Sequence, residues 1–213
     1  MADNISSAFD HRRYAPAAQR NREPILAALA PRLTGARRLL EIASGSGEHA
    51  VWLAAELPAL RWLPSDADAT ALASIAGWTA HSGVANVAPP RMLDVTAAAW
   101  PLEDGELPLD AMFTANLLHI APWAVTLGLL AGAGRYLSGS GALYIYGPFM
   151  RNGAHTADSN ARFDAGLRQQ NPAWGVRALE DVAAEAGRHG LALAEAIDMP
   201  ANNIIAVFRR SQG

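Results

Sequence analysis

The stretch Leu39 to His49, LLEIASGSGEH, constrains the fold more than any other part of the chain. Apolar residues ending in an acid lead through small residues into Gly45-Ser46-Gly47, and a helical pattern starts at once. A strand is delivered to a tight turn, and the turn opens a helix. Glycines suit such a turn because the backbone bends through positive φ and because a ligand can lie against bare main chain. The stretch reads as a nucleotide-type cradle in an α/β protein.

Strands and helices alternate on both sides of this turn. Apolar runs predict strands at Arg38–Ala43, Leu60–Pro64, Arg91–Leu93, Asp110–Thr114 and Ala142–Tyr146, with helices at Glu48–Leu57, Thr70–His81 and Ala124–Leu137 between them. The run Ser138-Gly139-Ser140-Gly141 reads as a turn after the last of these helices. Such alternation predicts a mostly parallel sheet covered on both faces. Further helices are expected at Ser159–Gln170 and Arg177–His189, followed by strands at Leu191–Ile197 and Ile204–Phe208. The connection between those two strands is too short for a parallel crossover, so they must pair antiparallel. Before the first strand, Phe9–Gln19 reads as an arm and Arg20–Leu33 as a helix with Pro24 in its first turn. That places the polar run from Gln19 to Glu23 near a helix N-terminus, as an anion-binding end or as a solvated charged face.

Composition narrows the function. The 213 residues, 51% hydrophobic and 17% charged, fit one globular domain with a sizeable core. No apolar run reaches the roughly 18 residues of a spanning helix, and MADNISSAFD lacks the basic start and apolar centre of a signal peptide. A cytoplasmic protein is expected. Cysteine is absent, which removes disulfides, thiolate zinc sites and a cysteine nucleophile, and no metal is expected. All 17 basic residues are arginine, so Schiff-base chemistry and a Tyr-Lys dehydrogenase pair are excluded. A net charge of -3 gives no footprint for nucleic acid or an anionic membrane and favours a small-molecule partner.

The glycine turn itself admits two cofactors. Gly45-Ser46-Gly47-Glu48-His49-Ala50 satisfies a dinucleotide pattern ending in Ala, with Asp66 near the ribose-binding offset of about 20 residues. Glu41 to Gly47 instead resembles the first motif of class I S-adenosylmethionine-dependent methyltransferases, with Ala43 in the place of the first glycine. Glu41 favours the second reading, because a carboxylate at the strand's end repels a pyrophosphate and attracts a sulfonium ligand that carries an ammonium group. Asp94 adds a third strand-end acid, and the antiparallel terminal pair is a mark of the methyltransferase sheet. The alternatives are a nicotinamide-dependent oxidoreductase and a non-catalytic cofactor-binding protein.

Longer motifs narrow the resemblance. RNREPILAAL, LLEIASGSGEHAVWLA, WLPSDAD, FTANLLHIAPW, GALYIYGPF, DSNARFDAGLRQQNPAWGVR and MPANN are similar to the domain-of-unknown-function 938 family of class I methyltransferases, the methyltransferase-like protein 26 type. This resemblance covers nearly the whole chain. It implies a Rossmann-like, seven-stranded sheet of order 3-2-1-4-5-7-6 with the seventh strand antiparallel. It also implies S-adenosylmethionine as cofactor, with Glu41, Ala43, Gly45 and Gly47 at its methionine and ribose end, Asp66 on the ribose hydroxyls and Asp94 on the adenine. Asn116 to His119 would stand between cofactor and acceptor, and Tyr146 with the Gly147-Pro148-Phe149 turn would form the far wall.

Among these, His119 is the candidate general base, because an unperturbed imidazole titrates near working pH. Tyr14, Arg20 and Asn21 are expected to close the near side as a lid, with Arg20 gripping an acceptor carboxylate. Methyl transfer is an in-line displacement, so alignment and exclusion of water matter more than a base. With a thiolate, thioether or carboxylate acceptor, His119 would serve packing alone. The expected organisation is one domain over residues 1-213, with 1-35 as arm, helix and lid and 150-176 as an insertion over the active site. The expected partner is a small-molecule methyl acceptor, and a homodimer through apolar residues such as Trp123 or Trp174 is left open.

Overall fold

Strands that are apolar on both faces, such as Arg38–Glu41, order the computed structural model, which describes residues 10–211. Phe9 of the expected arm and the opening segment MADNISSAF lie outside the described residues. The first half of the chain contains α1 (Pro16–Leu29), β1 (Arg38–Glu41), α2 (Glu48–Glu56), β2 (Arg61–Asp66), α3 (Ala69–Ser82) and β3 (Arg91–Met92). Next come β4 (Leu109–Ala115), α4 (Trp123–Tyr136), β5 (Leu137–Gly147), β6 (Phe149–Arg151) and β7 (Ala154–His155). The last elements are α5 (Asp158–Gln170), β8 (Arg177–Ala178), α6 (Leu179–Arg188), β9 (Leu191–Met199) and β10 (Asn203–Arg210).

Seven of the strands form one sheet in the order β3-β2-β1-β4-β5-β10-β9. Counted within that sheet alone, this is the expected 3-2-1-4-5-7-6. β1 pairs parallel with β2 and β4, and β10 runs antiparallel to both β5 and β9. Successive side chains point to opposite faces, so Leu39 packs with Trp62, Phe113 and the α1 residues Ile25 and Leu29, while Leu40 packs with Leu63, Met112 and the α4 residues Leu129 and Leu130. Both faces are buried, which is why these strands read as continuous apolar runs. Short strands β7-β6-β8 make a separate three-stranded sheet beside α5.

Three local expectations are corrected. α1 starts at Pro16, not Arg20, so Pro24 lies inside the helix and the Gln19–Glu23 run is mid-helix rather than at an N-terminus. A proline there leaves only the carbonyl of Arg20 without its helical donor, and Arg20 is exposed. The Ser138–Gly141 run is not a turn: it continues β5 as an irregularity, with Leu137 beside Leu109 and then Ala142 beside Ala111. Glycine is required at 141 because a Cβ would stand 2.9 Å from the Leu109 carbonyl oxygen. Finally, Arg177 and Ala178 belong to β8, and α6 begins after them.

Candidate active site

The turn after β1 is left-handed at three alternate positions: Ala43 (φ 56), Gly45 (φ 59) and Gly47 (φ 90). Each glycine has its own reason. A Cβ on Gly47 would come within 2.8 Å of the Ile75 Cα, so α3 packs directly on bare backbone. Around Gly45 a Cβ would meet only the Ala43 carbonyl, at 4.0 Å, so this side of the turn is open. Ala43, in the place of the motif's first glycine, accepts a conformation that costs an L-residue roughly 1–2 kcal/mol.

Acids end β1 and β2 and closely follow β3, but their environments differ. Asp66 accepts from the Gly45 amide through Oδ2 (2.9 Å) and from the Asp68 amide through Oδ1 (3.0 Å), so it holds the turn in shape. Asp94 accepts from the Thr96 amide and hydroxyl through Oδ1, which lowers its pKa, and among the described residues its Oδ2 makes no such bond. Glu41 is only 2% exposed. Its carboxylate accepts from Trp62 Nε1 (2.8 Å), and burial raises its pKa to about 7. Expected to face a cationic ligand, this carboxylate has an internal partner as well, Trp62 of the neighbouring strand.

Beyond the turn, the ends of β4 and β5 open into a cavity of about 510 Å³, within the ~300–1,000 Å³ span of small-molecule sites. Arg20 and Asn21 of α1 line one side, and Asn116, His119 and Tyr146 line the floor. Asn116 is left-handed (φ 62) and its amide donates to the Tyr146 carbonyl, which ties the two strand ends together. Gly147 sits between them, where a Cβ would be 3.4 Å from His119 Nδ1 and 3.8 Å from Asn116 Oδ1. Asn160 and Phe163 of α5, with Asn203 at the start of β10, complete the wall.

The expected lid divides. Arg20 and Asn21 reach the cavity, whereas Tyr14 packs edge-on against Trp78 of α3, 5.2 Å between ring centres, and is 60% exposed. The segment around it is laid over α3: the Arg13 amide donates to Ser74 Oγ, and Trp78 Nε1 donates to the Arg13 carbonyl.

Burial sets the proton states of the floor. His119 is 5% exposed, and desolvation, aided by the charge of Arg177, lowers its pKa to about 4. The reason for expecting a base there, a pKa near working pH, is therefore corrected: the imidazole is neutral but weakly basic. Burial raises the Tyr146 pKa despite the stabilising Asn21 and Asn203 side chains beside its hydroxyl. A separate groove of about 470 Å³ along α6 is lined by Trp123 but by none of the predicted catalytic, cofactor or lid residues, and its arginines are already engaged, Arg168 with Asp164, Arg188 with Glu185 and Arg177 with backbone carbonyls.

The family described as "Protein of unknown function (DUF938)" matches residues 12–210. The chain belongs to the DUF938 family. Among solved structures, the DUF938 chain is similar to the mitomycin 7-O-methyltransferase MmcR, with 17% identity and a TM-score of 0.77 over 92% of this chain and 54% of that one. It is also similar to an O-methyltransferase family protein from Burkholderia thailandensis, with 18% identity, a TM-score of 0.76 and coverage of 92% and 58%. Human N-acetylserotonin methyltransferase in complex with S-adenosylmethionine matches with 14% identity, a TM-score of 0.73 and coverage of 92% and 53%. The DUF938 chain spans little more than half the length of these proteins. At such identities the likeness is one of fold, the Rossmann-like class I methyltransferase sheet.

Residues that sequence reasoning passed over tie the DUF938 site together. Glu48, in the first turn of α2, accepts from the Ala15 amide, Gln19 Nε2 and Ser46 Oγ, so it clamps the start of α1 to the glycine turn. His49 Nε2 lies 2.7 Å from Asn21 Oδ1, a bond satisfied when Nε2 carries the proton of the neutral ring. Burial keeps that ring neutral by lowering its pKa to about 4. The signal for both was their place, two polar residues directly after Gly47 in a helix turn that packs on the sheet. Asn160 and Asn203 carried no local signal beyond the motifs that contain them.

Proposed function

We propose that the chain transfers a methyl group from S-adenosylmethionine to a small molecule held in the 510 Å³ cavity. One observation carries this reading: the left-handed Ala43–Gly47 turn and the cavity floor of Asn116 and Tyr146 stand at the same, carboxyl-terminal edge of the parallel strands. Ligands of open α/β sheets bind at that edge. The open side of Gly45 suits close approach of a ligand to bare backbone, and the uncommitted Asp94 Oδ2 suits an amino-group donor. When bound, S-adenosylmethionine supplies an electrophilic methyl carbon.

In this reading Gly45 and Gly47 shape the bed for its methionine and ribose end, Asp66 offers its remaining lone pairs to the ribose hydroxyls, and Asp94 takes the adenine amino group. Glu41 acts from behind the turn: a cation arriving there draws its carboxyl towards the ionised form. Asn116, Tyr146 and His119 align the acceptor, and Arg20, Asn21 and the 150-176 segment exclude water from it.

Calorimetric titration tests the cofactor. S-adenosylmethionine is expected to give saturable heat and NAD none, and the reverse result would overturn the proposal. Cofactor binding without S-adenosylhomocysteine formation across acids, phenols, amines and thiols would make the chain a binding protein rather than an enzyme.

A further inference from the structure

The cavity wall has an uneven chemical inventory. Four carboxamides, Asn21, Asn116, Asn160 and Asn203, can donate and accept hydrogen bonds without carrying charge. Among the described residues, Arg20 supplies the one fixed charge of this wall and enters no ion pair. Among the described residues, those lining the cavity include no Asp, Glu, Lys or Cys. Of the two other ionisable side chains, His119 is a neutral and weak base, and Tyr146 holds its proton more firmly than a free phenol. Behind them, Arg177 adds positive charge near His119, and His49, bonded to Asn21, is neutral. An alcohol, phenol or ammonium acceptor must lose a proton to be methylated, and nothing in this wall takes one readily near pH 7. An acceptor that arrives already ionised needs no such group.

Resting on the methyl transfer proposed above, we propose that the acceptor is a small carboxylic acid, bound as its anion with Arg20 as counter-charge and methylated on a carboxylate oxygen. A lone pair of that oxygen forms the new C–O bond to the methyl carbon, the C–S bond breaks, and its electron pair stays on sulfur. The products are a methyl ester and S-adenosylhomocysteine, and no proton is gained or lost at the acceptor. Positive sulfonium and negative carboxylate cancel as the bond forms, so a cavity lined by neutral amides favours the transition state over the separated charges. The N–H groups of Asn21 and Asn116 orient the carboxylate without protonating it, while those of Asn160 and Asn203 are held by Thr156, Asn202 and the Pro200 and Ala201 carbonyls and shape the wall.

The full chain is incubated with methyl-labelled S-adenosylmethionine and a panel of small carboxylic acids, phenols, amines and thiols. Expected is label transfer to at least one acid, released as volatile methanol by mild alkali, with kcat/KM level from about pH 6 to 9 at saturating cofactor. Arg20→Gln, at an exposed helix position, is expected to raise KM for that acid about tenfold or more, the loss of one charge-assisted contact. Transfer only to a phenol, amine or thiol, an alkali-stable product, or an unchanged KM in Arg20→Gln would overturn the inference. If S-adenosylmethionine binds by calorimetry but no acid is methylated, this inference fails while the cofactor reading stands. If S-adenosylmethionine gives no heat at all, it is the methyltransferase reading that falls, and this one with it.

Discussion

The Gly45 amide donates to Asp66 Oδ2 across 2.9 Å, joining the glycine turn after β1 to the last residue of β2. The acid suited to a ribose is therefore also a brace for the backbone that would cradle it. Asp66→Ala removes this bond and the one from the Asp68 amide. It is expected to cost about 1.5–3 kcal/mol of stability and at least about tenfold in S-adenosylmethionine affinity. Urea midpoints and titration calorimetry measure the two separately, and wild-type affinity in a destabilised variant would confine Asp66 to the bracing role.

Ala43 holds φ 56 without a glycine. Ala43→Gly relieves the left-handed strain and adds chain freedom to the unfolded state, and the first term is the larger. Thermal unfolding is expected to rise by the equivalent of about 0.5–1 kcal/mol. A lower melting temperature would mean that the Ala43 methyl packs usefully.

Glu41 makes stability fall as pH rises. The unfolded carboxyl ionises near 4.5, while the folded one keeps its proton to about 7, so the folded state binds more protons between these values. Glu41→Gln keeps an acceptor for Trp62 Nε1 and has no proton to lose. Relative to the wild type it is expected to gain up to about 3 kcal/mol between pH 4 and pH 8. Chemical denaturation at the two pH values decides, and an equal difference at both would show that Glu41 ionises freely.

His49 and His119 act in the opposite direction. Each is lowered from 6.5 to about 4, so as pH falls through that window the unfolded chain takes up protons that the folded chain refuses. Each histidine then removes about 2 kcal/mol of stability by pH 5. His119→Asn is expected to lose correspondingly less than the wild type between pH 7 and pH 5. Parallel losses in the two proteins would place a charged, solvated imidazole at this position.

The glycine turn and the strand-end acids were legible because they follow local rules: continuous apolar runs for strands buried on both faces, left-handed turns and acids where strands end. The sheet order rested on the short β9–β10 connection and on the family motifs. α1 was misplaced because Pro16 and Pro24 are both acceptable near a helix start, and only packing of Ala18 and Ile25 shows that the helix already runs between them. Glu41 read as a ligand group because its partner Trp62 becomes visible only once β1 and β2 are in register, Leu39 beside Trp62. Asn116, His119 and Tyr146 were found because adjacent parallel strands bring their ends together. Asn160 and Asn203 were not, since their meeting depends on α5 lying across the final hairpin, where Asn160 Nδ2 donates to the Asn202 carbonyl.

β10 sits between β5 and β9 although it is made after both. Among the described strands of that sheet, β9 pairs with β10 alone, so on a ribosome it waits unpartnered until the last strand emerges and slides in beside β5. Asn203, the first residue of that strand, is also a piece of the cavity wall. A chain cut before β10 thus lacks a piece of its cavity wall as well as the partner of β9, so the pocket and the edge of the sheet are completed by one and the same strand.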